Sequence, residues 1–118
     1  MSRRFGSGNY KYELVKGWGD SWPVEGVASD VATDSNGQVY IAVRTSQTEE
    51  RKTGVILVFN RDGSFHNQWG EEHFSTPHGL WINSDDEIFH ADSGNHTVTK
   101  FSTSGELIMT LGTKNWAP

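Results

Sequence analysis

An all-β protein assembled from four-stranded propeller blades is predicted by three features of the 118-residue sequence. Glycines cut the chain into short runs that alternate or are rich in β-branched and aromatic residues, and no stretch holds a helical period. Tight-turn tetrapeptides punctuate these runs, and the whole pattern occurs twice. In chain order the strand candidates are YELVKGW, SDVATD, QVYIAV, VILVFN, SFHNQW, GLWIN, EIFHAD, TVTKF and ELIMTL. Between them stand DSNG (34–37), NRDG (60–63), NSDD (83–86), DSGN (92–95) and STSG (102–105). Gly, Asn and Asp at these places supply the backbone freedom and local side-chain hydrogen bonds that antiparallel hairpins require. The polar run RTSQTEERKTG (44–54) is expected to be a flexible loop.

The repeat sets the architecture. VATDSNGQVYIAV lies over LWINSDDEIFHAD, and VFNRDGSFHNQWG over KFSTSGELIMTLG, with KYELVKGWG as a further copy of the last piece. Each unit is four strands in about 40 residues, the period of a propeller blade. The expected organisation is an extra strand over 10–19, one blade over 24–70 and a second over 76–112. Two blades leave apolar faces and open edges. A fragment of a longer propeller, a monomer with capped ends, and an assembly all answer that problem. The favoured reading is a homotrimer giving six blades with closed threefold symmetry. The ending TKNWAP, where another Pro-containing blade start would be expected, keeps the fragment reading open.

Composition excludes several functions. A net charge of −5 argues against nucleic acid or an anionic membrane as partner. With no cysteine, neither disulfides nor thiolate metal sites can form, which leaves His and carboxylates as side-chain ligands. No apolar run reaches the ~18 residues of a membrane span. The start MSRRFGSGNYKYE lacks an apolar signal core, so a cytoplasmic location is expected.

TPHGLWINSDDEIFHADSGNHTVTKFSTSGELIMTLG (76–112) resembles an NHL repeat: a Pro-x-Gly-apolar start, an aromatic strand ending in Asp, Ser-Gly-Asn-His, then a Phe-x-x-x-Gly hairpin. The first unit is more divergent, lacking DSGNH and carrying the 44–54 insertion. NHL repeats form β-propellers, usually of six blades, so the resemblance implies that fold. PHGL (77–80) is further similar to an element of the peptidyl-α-hydroxyglycine α-amidating lyases, which are propellers of this type. That resemblance implies His78 as a zinc ligand, the Leu80 carbonyl as a calcium ligand, and Arg44 as the anchor for a substrate carboxylate. Each chain has one such histidine, Ser29 standing at the equivalent place, so three copies of His78 in a trimer would be needed to give a His₃ site. No tyrosine matches the lyases' catalytic phenol, and Tyr40 is expected to pack between blades. Enzyme activity is therefore left open.

Other polar clusters read as structural. Asp92 and Asn95 are expected to hold the DSGNH turn, with Gly94 at positive φ. His90, sharing a face with Ile88 and Asp92, is expected as a hydrogen-bonded histidine between blades. His66 and His73 are expected at the surface, and the pairs Glu49–Glu50, Glu71–Glu72 and Asp85–Asp86 as solvated turn charge. Trp18 and Trp69 each precede a glycine at the same slot, which argues for packing rather than a sugar platform. The leading functional expectation is a binding or scaffold propeller with an axial metal site. The alternatives are a metal-dependent lyase or hydrolase acting on a small carboxylate, and protein interaction through the 45–54 loop.

Overall fold

The computed structural model describes residues 3–116, so Met1, Ser2, Ala117 and the Pro118 of TKNWAP lie outside the described residues. The chain is all-β. Its strands are β1 (Arg4–Ser7), β2 (Tyr10–Glu13), β3 (Val27–Thr33), β4 (Val39–Gln47) and β5 (Lys52–Phe59). They continue with β6 (Phe65–Trp69), β7 (Pro77–Ile82), β8 (Ile88–Asp92), β9 (Thr97–Phe101) and β10 (Leu107–Leu111). Strands β3–β6 form one antiparallel four-stranded sheet in sequence order, and β7–β10 form a second. Among the described residues no helix is long and apolar enough to cross a membrane.

One turn type closes four of the six hairpins inside the blades, those between the first and second and between the third and fourth strands of each. In each, the fourth residue's N–H bonds back to the carbonyl of the first: Gly37 to Asp34, Gly63 to Asn60, Asp86 to Asn83 and Gly105 to Ser102. That fourth residue has positive φ, between 58° at Asp86 and 93° at Gly63. This is a type I turn followed by a left-handed residue, which suits glycine and is tolerated by aspartate. The first residue's side chain reinforces the turn: Asp34 Oδ1 accepts the N–H groups of Asn36 and Gln38, and Asn83 Oδ1 those of Asp85 and Glu87.

The core forms on the two faces of the first blade. One face carries Tyr40, Ala42, Ile56, Val58 and Trp69 and packs against Leu80, Ile88 and Phe101 of the second blade and Phe74 of the link before it. The opposite face, with Ile41, Val43, Val55, Leu57 and Phe59, is covered by Trp18 and Val24 from the N-terminal segment. Alternation along β4 therefore serves two interfaces, as a strand buried on both sides requires.

The two packings repeat each other. Trp69 lies 5.1 Å from the Phe101 ring and over Gly105, and Trp18 lies 5.6 Å from the Phe59 ring and over Gly63. A methyl group on Gly105 would sit 2.6 Å from the Trp69 ring, and one on Gly63 would sit 2.9 Å from Trp18. The glycines that follow, Gly19 and Gly70, both have positive φ. The segment around Trp18 thus does for the first blade what the end of β6 does for the second.

Two expected elements differ. The strand over 10–19 is a short hairpin, β1 with β2, whose residues are all exposed, and Trp18 lies beyond it. Val15, Lys16 and Gly17 break the alternation before Trp18, and Gly17 has φ 81°. The loop over 44–54 is instead the outer end of a long hairpin, for β4 runs to Gln47 and β5 starts at Lys52. The turn is closed by the Thr48 N–H on the Arg51 carbonyl.

Candidate functional site

The candidate site is the place where the first strands of the two blades meet. Both strands begin with a β-bulge. Pairing of β3 with β4 skips Ser29 (Ala28↔Val43, then Asp30↔Ala42), and pairing of β7 with β8 skips His78 (Pro77↔Asp92, then Gly79↔Ala91). Ser29 and His78 are therefore equivalent bulge residues, as their alignment in sequence suggests. A bulge turns its residue out of the pleat, and His78 is exposed.

Arg44 joins His78. Alternation puts Arg44 on the face of β4 that carries Tyr40 and Ala42, so it faces the second blade. Its Nε donates to the Pro77 carbonyl at 2.8 Å, and its Nη2 donates to His78 Nδ1 at 3.2 Å. Arg44 does not end its strand as expected. It lies within β4, with a second bulge just after it at Thr45. Gly54, opposite Arg44, leaves room for Pro77, since a methyl there would be 2.2 Å from the proline Cγ. Gln47 anchors the same approach, donating to the Ser75 carbonyl and accepting from the Thr76 hydroxyl.

Leu80 sits beside this pair with its side chain buried. Its N–H donates to Asp30 Oδ2 at 2.8 Å, and Asp30 Oδ1 accepts the Val31 N–H. This carboxylate bridges the two blades. The repeat does not signal that role, since Asp30 aligns with a glycine, Gly79.

The tautomer follows from the arginine. A neutral imidazole has one lone-pair nitrogen, and a guanidinium has only donors. Nδ1 therefore accepts, and the His78 proton lies on Nε2. A nitrogen carrying a proton cannot ligate zinc, so this arrangement does not fit a zinc ion on His78 while Arg44 is bound. Among the described residues no group of three or more His, Cys, Asp and Glu could hold a metal. The pair is instead suited to an anion. Two of the five guanidinium N–H groups are engaged, which leaves donors in the planar fork that matches a carboxylate. Among the described residues no carboxylate forms a salt bridge with Arg44.

The remaining polar residues are structural. Tyr40 is fully buried, its hydroxyl donating to Asp34 Oδ2 at 2.8 Å. Burial first, and then the Asp34 carboxylate, hold its phenol far above the ordinary tyrosine range, so it is no general base. Asp92 accepts four backbone N–H groups, from Ser75 on Oδ2 and from Thr76, Gly94 and Asn95 on Oδ1. The left-handed residue of DSGNH is His96, at φ 61°, rather than Gly94. Gly94 is required for space, because a methyl there would be 2.6 Å from Ser75 Oγ. Asp86 is more than turn charge: its carboxylate accepts from the N–H and hydroxyl of Ser35 on the other blade, which lowers its pKa. His73 is half-buried, its ring 5.5 Å from Phe101.

Comparison with known proteins agrees with this architecture. Residues 74–101 match the family model described as NHL repeat. The chain is 38% identical over 112 residues to NHL repeat-containing protein 3 of Homo sapiens, covering 86% of this chain and 30% of that protein. It is 33% identical over 111 residues to the Mus musculus protein of the same name, with the same coverage. The chain thus spans about 30% of the length of these curated relatives.

Proposed function

Taking the chain as one that carries an NHL repeat, we propose that it is a binding module whose recognition point for a carboxylate is the Arg44–His78 pair. The observation that carries this reading is the fixed guanidinium. Two hydrogen bonds to the second blade orient Arg44 before any ligand arrives, and its remaining donors face no protein carboxylate among the described residues. Preorganisation of this kind lowers the entropy cost of binding. The ligand class is a carboxylate-bearing peptide or small molecule.

The test compares N-acetyl-glycyl-glycine with its C-terminal amide by calorimetry. The carboxylate is expected to bind and the amide to bind at least about tenfold more weakly, since a charge-assisted pair contributes about 1.5–3 kcal/mol. Arg44→Gln is expected to remove the difference. Equal binding of both peptides, or an unchanged preference in the variant, would contradict the reading.

A second reading is suggested by the exposed, bulge-borne position of His78: zinc held by His78 from three copies in a trimer. It requires Arg44 to release Nδ1, so Arg44→Gln should raise zinc content and His78→Ala should abolish it. The calcium role of the Leu80 carbonyl belongs with that reading. Enzymatic chemistry has less support, because the His78 lone pair is engaged by Arg44 and Tyr40 is sequestered.

A further inference from the structure

The face of the second blade that looks toward the first is polar where its counterpart on the first blade is apolar. Strand register aligns Val55 with Thr97, Leu57 with Thr99 and Ile41 with His90. The first-blade residues are buried aliphatics of one core cluster, and Thr97, Thr99 and His90 are buried as well. Their polar groups find little to bond. Thr99 reaches only the His90 carbonyl, at 3.5 Å, and neither ring nitrogen of His90 has a partner. The Thr97 hydroxyl has no partner among the described residues. Burying a hydroxyl without a partner costs free energy that an aliphatic side chain does not, so the exchange needs a reason.

A cavity of about 230 Å³ adjoins the two threonines. Thr97 and Thr99 of β9, Leu107 and Thr110 of β10, Asn95, and His73 of the link from β6 to β7 wall it, and the exposed Glu72 and Lys114 complete the lining. Register sets Thr110 opposite Thr99 and Leu107 opposite Phe101, so both β10 residues stand on the same face as the β9 threonines. Asn95 is held in place by its Nδ2, which donates to the His73 carbonyl at 2.9 Å and leaves Oδ1 as an acceptor. The walls are the link between the blades and the face that the second blade turns to the first. The cavity therefore lies within the two-blade unit.

We propose that this cavity is a binding site for a small uncharged polyol of monosaccharide size. The hydroxyls of Thr97, Thr99 and Thr110 can donate and accept, and Asn95 Oδ1 accepts, which matches the mixed demands of a sugar's own hydroxyls. The threonine methyl groups and Leu107 offer apolar surface to its C–H faces, the usual combination in a small-molecule site. The one carboxylate in the lining, Glu72, and the one ammonium, Lys114, oppose each other in sign, so neither an anion nor a cation gains from the whole. The volume lies below the ~300 Å³ at which pockets for drug-sized ligands begin, which selects a single ring over an oligosaccharide. The site shares no residue with the Arg44–His78 pair.

Backbone amide NMR spectra of the full chain, titrated with D-glucose, D-galactose, D-mannose and myo-inositol, test this. At least one of the four is expected to shift the Asn95, Thr97 and Thr99 amides saturably, and sodium phosphate and ethylammonium are not. The double variant Thr97→Val, Thr99→Leu installs the residues that the first blade carries at these places. It is expected to weaken binding at least about tenfold while melting no lower than wild type. Thr97→Ser keeps the hydroxyl and is expected to bind within about threefold of wild type. Should the double variant not fold, Thr97→Val alone is expected to weaken binding about fivefold. No saturable shift with any of the four, a stronger response to phosphate or ethylammonium, or undiminished binding in the valine variants would overturn the proposal. Carboxylate binding at Arg44 is measured with a different ligand, so failure of either reading leaves the other standing.

Discussion

His90 lies in the middle of the blade interface, fully buried, with its ring 4.3 Å from that of Phe74 and neither ring nitrogen hydrogen-bonded. Alternation along EIFHAD foretold its face, but the hydrogen bond expected for it is absent. The neighbouring carboxylate, Asp92, makes its hydrogen bonds to backbone N–H groups and not to the imidazole. Burial pushes the His90 pKa down to about 4, against a smaller opposing pull from the Asp92 charge. The unfolded chain binds this proton near pH 6.5, whereas the folded chain binds it only near pH 4. Between those values the unfolded state holds more protons, so stability is lost as pH falls through that window. At about 1.36 kcal/mol per unit, the loss between pH 7.5 and 4.5 should be about 2–3 kcal/mol. Urea unfolding at the two pH values measures it. His90→Leu should remove most of the pH dependence, with stability at pH 7.5 within about 1 kcal/mol of wild type, because the unpaired nitrogens go too. An equally steep pH dependence in that variant would contradict the assignment.

At the scale of elements, the hairpins were legible because their chemistry is local. DSNG, NRDG, NSDD and STSG all close the same way, and the repeated Trp-Gly pairs pack as their matching slots implied. RTSQTEERKTG departs from the loop its polarity predicts. Here the Thr45 and Thr53 hydroxyls bond each other at 2.7 Å across the strands, so a polar ribbon stays regular. The turn glycines give a direct test of the interlock. Gly105→Ala combines φ 89° with a methyl only 2.6 Å from Trp69 and should cost about 2–4 kcal/mol. Gly8→Ala, with φ 61° and open space around it, should cost only about 1–2 kcal/mol. Thermal denaturation of the two variants should therefore rank Gly105→Ala well below Gly8→Ala, and equal losses would mean that the Trp69 cap contributes little.

The candidate site exists only at the scale of the whole molecule. Arg44 and His78 were each singled out in the sequence, yet their contact was not foreseeable. It depends on bulges at His78 and Thr45, on the room left by Gly54 for Pro77, and on the docking of one blade on the other. None of these is a property of a strand alone. The blade repeat was legible because it is periodic, whereas the pair is the point where the repeat fails, with Ser29 on one blade and His78 on the next. Their contact also bears on the proposed chemistry, since an Nδ1 that accepts from Arg44 leaves the rest of the guanidinium fork for the carboxylate of that reading. The imidazole nitrogens of His78 test that claim most directly, through long-range proton–nitrogen spectra recorded at pH 7.5 with and without zinc. The account predicts a proton on Nε2, a lone-pair Nδ1 that loses its perturbation in Arg44→Gln, and no response of the wild-type ring to zinc. A proton on Nδ1 with a zinc-dependent shift at Nε2 would contradict it.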